Sequence, residues 1–329
     1  MGRKSITNEM GRKSISNEKS GALPAAGIEA LIKTDGVFRV EVRRKVTSTN
    51  TVLRELAAAG APEGYVLAAE EQTAGRGRQG RGFHSPAGLG VYFSLLLRPG
   101  FAAKDAVLIT PAASVAAALA IEEVYGVRAG IKWVNDLLVG GKKVCGILTE
   151  TVLSAESGLI DSAVLGIGIN VTPPEAGYPG DIRAVAGALT EFSGVGEDRR
   201  CGLIAAILDN FWGYYENKGE KTGEKTGEKT GDKIGEKTGD KTGDGALSCE
   251  NTRQNTAPRL AERAFLEEYR ARSVVPGRNI HVITVEGARA ARAIAIDDDC
   301  GLIVQYDDGE NATLNSGEVS IRAIGNNEL

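Results

Sequence analysis

The sequence contains few of the residues that build metal sites and disulfide frameworks. Of its 329 residues, 4 are Cys and 2 are His. No two cysteines form a C-x-x-C pair, and His84 and His281 lie far apart, so the pattern argues against a Cys/His zinc site. Sparse cysteines are typical of a reducing compartment. We therefore expect a cytoplasmic protein without a disulfide framework.

The sequence also lacks long hydrophobic runs and an excess of basic charge. The uncharged stretch 106–121 contains Thr110, Pro111 and Ser114 and is shorter than the ~20 apolar residues that span a bilayer. The N-terminal MGRKSITNEM has no apolar segment typical of a secretory signal. The net charge of -4 at pH 7 provides no basic field for nucleic acid or an anionic membrane. We expect neither as a partner.

Glycine, by contrast, is abundant, with 43 residues, and part of it lies in low-complexity sequence. Residues 219–245 repeat GEKT-like tetrapeptides in which Ile234 is the single large apolar residue. Gly in every helical turn would cost about 1 kcal/mol per occurrence relative to Ala, and no apolar surface offsets the loss of chain entropy. We predict a disordered insertion at 219–258. We also predict a disordered tail at 1–36, where the polar segment MGRKSITNE is nearly duplicated.

The remaining sequence alternates helix and strand patterns and ends in short strands alone. Ser48, Thr49 and Asn50 offer capping side chains ahead of the helical spacing that starts at Val52. Strands are predicted at 38–46, 65–70, 91–97, 131–134, 144–153 and 163–171, and helices at 105–125, 203–215 and 260–272. From 277 onward, short strands separated by Gly and Asp turns predict a small all-β barrel. The domains are therefore 37–276, interrupted by the insertion, and 277–329.

A loop rich in Gly and Arg follows the second predicted strand. Gly75, Gly77 and Gly80 match G-x-G-x-x-G. The loop leads into a strand, which excludes a dinucleotide fingerprint, because that motif must open a helix. Gly lets backbone N–H groups approach an anion, and the arginines at 76, 78 and 81 carry guanidinium groups suited to phosphate. We predict that the loop orders around an anionic ligand; the alternative is a solvated basic hairpin.

Two further stretches carry candidate ligand-binding residues. In IKWVNDLL and the following GGKKVCGI, Asp136 could hold Mg²⁺ or orient a Lys, and Lys143 could neutralise charge developing at a carboxylate or phosphate. The alternative is a plain hairpin. In the apolar VLGIGIN, Gly166 and Gly168 indicate close approach of a ligand or another backbone, or packing alone. Asn170, at the end of that strand, could hydrogen-bond the ligand.

Taken together, these stretches resemble the biotin protein ligase family, also called biotin–[acetyl-CoA-carboxylase] ligases. The matching motifs are Ser48-Thr49-Asn50, Gln72 with Gly75-Arg76-Gly77-Arg78-x-Gly80-Arg81, Lys132-Trp133-x-Asn135-Asp136, Lys143-x-x-Gly146-Ile147, Gly166-x-Gly168-Ile169-Asn170 and Ser316–Arg322. They follow the family's order and cover roughly residues 37–325 without the insertion. The resemblance implies an α+β fold, with a class II synthetase-like mixed sheet flanked by helices and a small C-terminal SH3-like β-barrel.

The resemblance implies a two-step reaction that rests on positioning and electrostatics, without a covalent enzyme intermediate. Biotin and Mg·ATP give biotinyl-5′-AMP and pyrophosphate, and the acyl group then passes to a lysine of a biotin carboxyl carrier protein. The enzyme would be a monomer or a homodimer. About 36 polar residues precede the first predicted strand, fewer than the winged-helix domain of some members needs. The ligase-only form is therefore expected.

The matching motifs also imply roles for individual residues. Biotin would be bound by Ser48, Thr49, Asn50, Gln72, Arg76, Gly77, Arg78 and Lys143. ATP would be bound by Arg76, Arg78, Arg81, Lys132, Asn135, Asp136, Asn170 and Arg322. Lys143 and Arg78 would act in catalysis, and Asp136 would be the Mg²⁺ ligand.

Two positions depart from the family pattern. Val134 stands where the family usually has Pro, and Phe83 where it usually has Trp. Neither change removes a charged group, so we expect activity with an altered ligand affinity. Two other functions stay open: a lipoate or octanoate ligase or transferase of the same fold, and a non-catalytic biotin sensor or regulator. Retention of the Arg loop and Lys143 favours the enzyme.

Overall fold

The computed structural model describes residues 23–216, 259–284 and 287–321. The predicted insertion at 219–258 lies outside these ranges, as do residues 1–22 of the predicted N-terminal tail. The remainder of the tail prediction is wrong, because residues 23–36 are folded. Helix α1 (Ala25–Glu29) buries Ile28, and Leu23 just before it is buried as well. A five-residue helix is too short to show periodicity in a sequence, and tertiary packing stabilises it.

Seven strands form one mixed sheet, which is the scaffold of the first domain. They are β1 (Arg39–Arg43), β2 (Tyr65–Ala69), β3 (Gly90–Leu97), β4 (Gly130–Lys132), β5 (Asp136–Val139), β6 (Lys142–Leu153) and β7 (Ile160–Asn170). Their order across the sheet is β1-β2-β3-β7-β6-β5-β4. β1 and β2 pair in parallel, and the other neighbours are antiparallel. The β6–β7 hairpin sets Gly146 opposite Gly168 and Leu148 opposite Gly166.

Helices cover both faces of this sheet. They are α2 (Thr49–Ala58), α3 (Ala103–Ala106), α4 (Ile109–Tyr125), α5 (Thr190–Ser193), α6 (Arg200–Tyr215) and α7 (Leu266–Arg272). On one face, α4 packs against α6, and the Oγ1 atoms of Thr110 in α4 and Thr149 in β6 are 2.8 Å apart. Successive side chains of a strand point to opposite faces. Since Glu150 contacts α2 through Asn50, α2 lies on the other face.

The predicted helix at 105–125 divides into α3 and α4. The stretch Ala103–Tyr125 is apolar and long enough to cross a membrane, by length and composition alone. In the described chain, however, 67% of its most apolar window is buried, because α4 contacts both the sheet and α6. An apolar surface on all sides is expected of a helix buried in this way. We therefore assign this stretch to the core of the first domain.

The second domain is all-β, as predicted. Its strands are β8 (Asn279–Thr284), β9 (Gly287–Ile296), β10 (Leu302–Tyr306), β11 (Asn311–Leu314) and β12 (Glu318–Ile321). They form an antiparallel sheet in the order β11-β10-β9-β8-β12. Trp133 Nε1 of the first domain donates a hydrogen bond to the Cys300 carbonyl at 2.9 Å, which fastens the two domains together. The predicted α+β class is confirmed.

Candidate active site

A cavity of about 510 Å³ opens where the Gly/Arg loop, the β4–β6 segment and β12 meet. Five cationic side chains line it: Arg76, Arg78, Arg81, Lys132 and Lys143. Among the described residues of its lining, Asp136 is the single carboxylate. A concave site with this excess of positive charge suits a ligand that carries several negative charges. The structure thus brings together motifs that are far apart in the sequence.

Residues 75–83 of the Gly/Arg loop form a hairpin, and its ordering around an anionic ligand stays a prediction. The Gly77 N–H donates to the Arg81 carbonyl at 2.7 Å, and the Phe83 N–H donates to the Gly75 carbonyl at 2.8 Å. Gly80 at the turn has left-handed backbone, with φ of 74°, which glycine adopts without steric cost. A Cβ on Gly75 would overlap the Phe83 carbonyl oxygen. Glycine is therefore needed where the two arms of the hairpin approach each other.

Two arginines of this hairpin are held by residues from distant parts of the chain. Arg78 Nη1 lies 3.3 Å from Asn135 Oδ1, and Arg76 Nη2 lies 3.1 Å from Glu150 Oε1. These partners orient the guanidinium groups at the cavity before an anion arrives. Pre-orientation lowers the entropy that is lost when a ligand is bound.

The β5–β6 hairpin supplies Lys143 and Asp136 to the cavity wall. Lys143 Nζ lies 2.7 Å from Asp136 Oδ1, which confirms that Asp136 orients a lysine. Among the described residues, no group of three or more His, Cys, Asp or Glu side chains could hold a metal ion. Mg²⁺ usually takes one or two carboxylates together with phosphate oxygens. Asp136 fits that mode, and its role as a metal ligand stays a prediction.

Cys145 lies between Lys143 and Gly146 but cannot act as a nucleophile. Its side chain is fully buried, and burial raises the pKa of the thiol far above its usual value. A buried thiol that stays protonated neither attacks an acyl group nor binds a metal. Lys143 and Asp136 are therefore the ionisable side chains that the β5–β6 hairpin presents to the cavity.

A polar network lies behind Phe83, at the N-terminus of α2. Its members Ser48, Thr49 and Asn50 are buried. The predicted capping role of this segment is wrong, because the residue at the N-cap position, Ser48, makes no side-chain capping bond. Instead, Gln72 Oε1 accepts a hydrogen bond from the Thr49 N–H at 2.8 Å. Gln72 thus caps α2 from the loop that follows β2, and this hydrogen bond fixes the Gln72 side chain.

Ser94, which the sequence analysis did not select, completes this network. Its Oγ lies 2.6 Å from Asn50 Oδ1 and 2.8 Å from Thr49 Oγ1. The Asn50 amide donates to the Leu148 carbonyl at 3.3 Å and to Glu150 Oε2 at 3.0 Å. Both amide hydrogens of Asn50 are therefore engaged by the protein. Asn50 can offer a ligand only the remaining acceptor capacity of its oxygen.

Three glycines form a floor beneath Phe83 and Asn50. A Cβ on Gly168 would lie 2.6 Å from Phe83 Cε1, and a Cβ on Gly166 would overlap Asn50 Oδ1. Phe83 also lies over Gly146. Protein side chains thus occupy the space above these glycines, where the sequence predicted the close approach of a neighbouring group. The space among these groups is about 20 Å³, enough for roughly one water molecule. Phe83 lines both spaces and separates them.

One predicted nucleotide-binding residue that the structure describes, Asn170, is not in the cavity lining. Asn170 ends β7, and its Nδ2 donates to the Gly187 carbonyl at 3.0 Å. Arg322 lies outside the described residues, although Ser320 and Ile321 next to it line the cavity. The roles of Asn170 and Arg322 stay predictions. Glu150 was missed, although a lone charge in the otherwise uncharged strand pattern 144–153 is a signal that could have found it.

The mixed sheet and the small all-β domain that together form the cationic cavity match models of the biotin and lipoate ligases. A model of the Biotin/lipoate A/B protein ligase family matches residues 42–170. A model of the Biotin protein ligase C terminal domain matches residues 277–322. The chain belongs to the biotin protein ligase family, with a catalytic and a C-terminal domain.

Individual relatives agree with this assignment. The chain is 40% identical over 192 residues to the bifunctional ligase/repressor BirA of Bacillus subtilis (strain 168), covering 58% of each chain. It is 38% identical over 140 residues to the biotin–[acetyl-CoA-carboxylase] ligase of Paracoccus denitrificans, covering 40% of this chain and 55% of that protein. The chain thus spans little more than half the length of these relatives. The structure of the Aquifex aeolicus biotin protein ligase with biotin and ATP shares the fold, with a TM-score of 0.61, 24% identity, and coverage of 86% of this chain and 98% of that chain.

Proposed function

We propose that the chain is an ATP-dependent biotin protein ligase. It would activate biotin as biotinyl-5′-AMP and transfer the biotinyl group to a lysine of a biotin carboxyl carrier protein, such as that of acetyl-CoA carboxylase. The observation that carries the proposal is the cationic cavity, which adjoins a small polar pocket. The first suits a triphosphate and a carboxylate, and the second offers hydrogen bonds to a compact polar ring.

The cavity supports the adenylation step through charge. In that step a carboxylate oxygen attacks the α-phosphorus, and pyrophosphate leaves. Arg76, Arg78 and Lys143 would bind the carboxylate and the phosphate between which the new bond forms, and would neutralise charge in the transition state. The backbone of Gly77 would close over them. Mg²⁺, which would be held by Asp136, would supply charge neutralisation at the leaving phosphates.

Other residues would bind the rest of the nucleotide. Arg81, Lys132 and Asn135 line the same cavity and would bind its phosphates. Asn170 and Arg322 would approach it from the end of β7 and from the C-terminal domain. In the transfer step, a carrier lysine amine attacks the acyl carbon and AMP leaves with the bonding electrons. Lys143 would stabilise the negative charge at the acyl oxygen.

The polar network would bind the other end of biotin. Ser48, Thr49, Asn50 and Gln72 offer hydrogen-bonding groups in a dry environment, where an unpaired polar group is costly and binding is selective. The present space of about 20 Å³ is too small for a bicyclic ring, and the Phe83 ring stands at its entrance. Biotin binding would therefore displace Phe83 from the floor of glycines.

A lipoate or octanoate ligase is the second candidate, because the family model that matches residues 42–170 covers both groups. A non-catalytic biotin sensor is less well supported, since a sensor would not need five cationic side chains around a cavity of this size. We place the enzyme in the cytoplasm, as a monomer or homodimer whose partner is the carrier protein.

One incubation tests the proposal. The purified full chain is mixed with Mg·ATP and either biotin or lipoate, and pyrophosphate release is measured. Labelled biotin and a carrier domain are then added, and transfer is followed on a gel. We expect biotin-dependent pyrophosphate release and label on the carrier lysine. Release with lipoate alone would support the second candidate, and binding of biotin without release would support the sensor.

A further inference from the structure

Glu150 joins three separate parts of the candidate site. Its Oε2 accepts a hydrogen bond from Asn50 Nδ2 at 3.0 Å, and its Oε1 lies 3.1 Å from Arg76 Nη2 and 3.5 Å from Arg54 Nη1. The Glu150 side chain is 19% exposed, and the Arg76 side chain is 41% exposed. A largely buried carboxylate thus links the Gly/Arg hairpin to helix α2 and to strand β6.

The position of Glu150 on its strand explains this reach. Along β6, Gly146, Leu148 and Glu150 point to the face of the sheet that carries α2, since side chains alternate. Gly146 and Leu148 line both spaces of the site. Glu150 follows them along the strand, lines neither space, and contacts Asn50 and Arg76, which line the small pocket. It therefore contacts binding residues without facing the reacting atoms.

We infer that Glu150 is a positioning residue for the biotin site, a role that rests on the proposed function. Through Oε2 it fixes the amide of Asn50, so that the Asn50 oxygen faces Ser94. Through Oε1 it fixes the guanidinium group of Arg76 and with it one arm of the hairpin. One carboxylate thereby sets the positions of both Asn50 and Arg76 in the biotin site.

The charge of Glu150 is needed to hold Arg76 but not to hold Asn50. A neutral amide oxygen can still accept a hydrogen bond from Asn50, whereas it attracts a guanidinium group far less strongly than a carboxylate does. The two carboxylate oxygens serve different partners. Glu150→Gln therefore separates the roles: it removes the ionic hold on Arg76 and keeps the shape of the side chain.

The test is a double-mutant cycle on the full chain. Glu150→Gln, Arg76→Ala and the double variant are assayed for adenylation with biotin as the varied substrate. We expect Glu150→Gln to raise the KM for biotin about 5–10-fold and to lower kcat by a smaller factor, and to add little to the effect of Arg76→Ala, because a residue that acts through Arg76 has no effect without it. Additive effects, or an unchanged KM, would overturn the inference.

A measurement without substrate separates this inference from the proposed function. Mild trypsin treatment followed by mass spectrometry reports cleavage after Arg76, and Glu150→Gln should raise the initial rate at that bond several-fold. Glu41→Gln is the matched control, because Glu41 is a partly buried carboxylate that pairs with Arg43 on the far edge strand β1. If the parent protein lacks ligase activity, the proposed function fails; equal cleavage of Glu150→Gln and the parent refutes the positioning role.

Discussion

Lys143 Nζ lies 2.7 Å from Asp136 Oδ1 across the β5–β6 hairpin, at the wall of the large cavity. The pair is partly exposed, with 34% and 20% of the two side chains accessible, so a ligand anion can compete with Asp136 for the ammonium group. An arrangement of this kind holds the ammonium group in place while no anion is bound. The Asp136 carboxylate also neutralises part of the positive charge of the cavity while no ligand is bound.

The first prediction concerns Lys143. Lys143→Ala should lower the rate of biotinyl-adenylate formation about 10²–10³-fold, as removal of one charge-stabilising group does in other sites. The matched control is Lys142→Ala, because Lys142 Nζ donates to the Ala184 carbonyl at 2.5 Å and is not in the cavity lining. Pyrophosphate release and circular dichroism would be measured for both. Near-normal turnover in Lys143→Ala would refute the role given to it.

The second prediction concerns the glycine floor. Gly168→Ala places a Cβ 2.6 Å from the Phe83 ring, and overpacking of this kind typically costs about 1–3 kcal/mol. We expect a lower Tm for this variant. The double variant with Phe83→Ala should be less destabilised than the sum of the two single variants, because the clash is then removed. Simple additivity of the Tm shifts would mean that Phe83 does not occupy this position in solution.

The third prediction concerns the contact between the domains. Trp133→Phe removes the hydrogen bond to the Cys300 carbonyl and leaves a buried acceptor unpaired, at a cost of about 1–3 kcal/mol. Trp212→Phe is the control, because Trp212 Nε1 is buried without a hydrogen-bond partner among the described residues, so little hydrogen bonding is lost. Urea unfolding would compare the free energies of unfolding. Equal effects of the two changes would contradict the assignment.

The fourth prediction concerns acid stability. A hydrogen bond from Arg200 lowers the pKa of Asp198 below its usual value. A lowered pKa means that the stabilising effect is complete above the pKa of the unfolded chain, about 3.9, and is lost as the pH falls below it. The difference in Tm between the parent and Asp198→Asn should therefore be larger at pH 6 than at pH 3. A difference that stays constant over this range would argue against the pairing.

The fifth prediction tests the low-complexity insertion. Deletion of residues 219–245 should leave the Tm and adenylation nearly unchanged, because loop-closure entropy changes slowly with loop length. Deletion of residues 23–36 is the contrasting change, since it removes buried Leu23 and Ile28 and should lower the Tm. A large loss of stability in the first deletion would show that the repeat has a structural role.

The sequence predicted the cavity-lining cations because their signal is local. Arg76, Arg78 and Lys143 stand in short motifs rich in Gly and charge, and a backbone that must turn at an anion produces that composition wherever it occurs. The helices and strands followed from periodicity in the same way, and the α+β class followed from the family resemblance. Neither prediction required knowledge of which segments touch.

The polar network was not predictable in detail because its contacts are long-range. Gln72 caps α2 from 23 residues away, and Glu150 meets Asn50 across 100 residues. Ser94 reads as an ordinary small residue within an apolar strand. Only the pairing of β3 with β7 and of β7 with β6 brings these groups together, and no local pattern encodes that pairing.

The C-terminal sheet contributes a wall of the cavity through Val319, Ser320 and Ile321 of β12. A ligand that contacts this wall and the first domain at once can bind fully only when the two domains are docked. Thermodynamic reciprocity then requires that the ligand strengthen the docking by the same free energy with which docking strengthens binding. Saturating ligand should therefore protect the domain interface, including the Trp133 indole N–H, from solvent exchange. Both domains are therefore needed to form the complete ligand site.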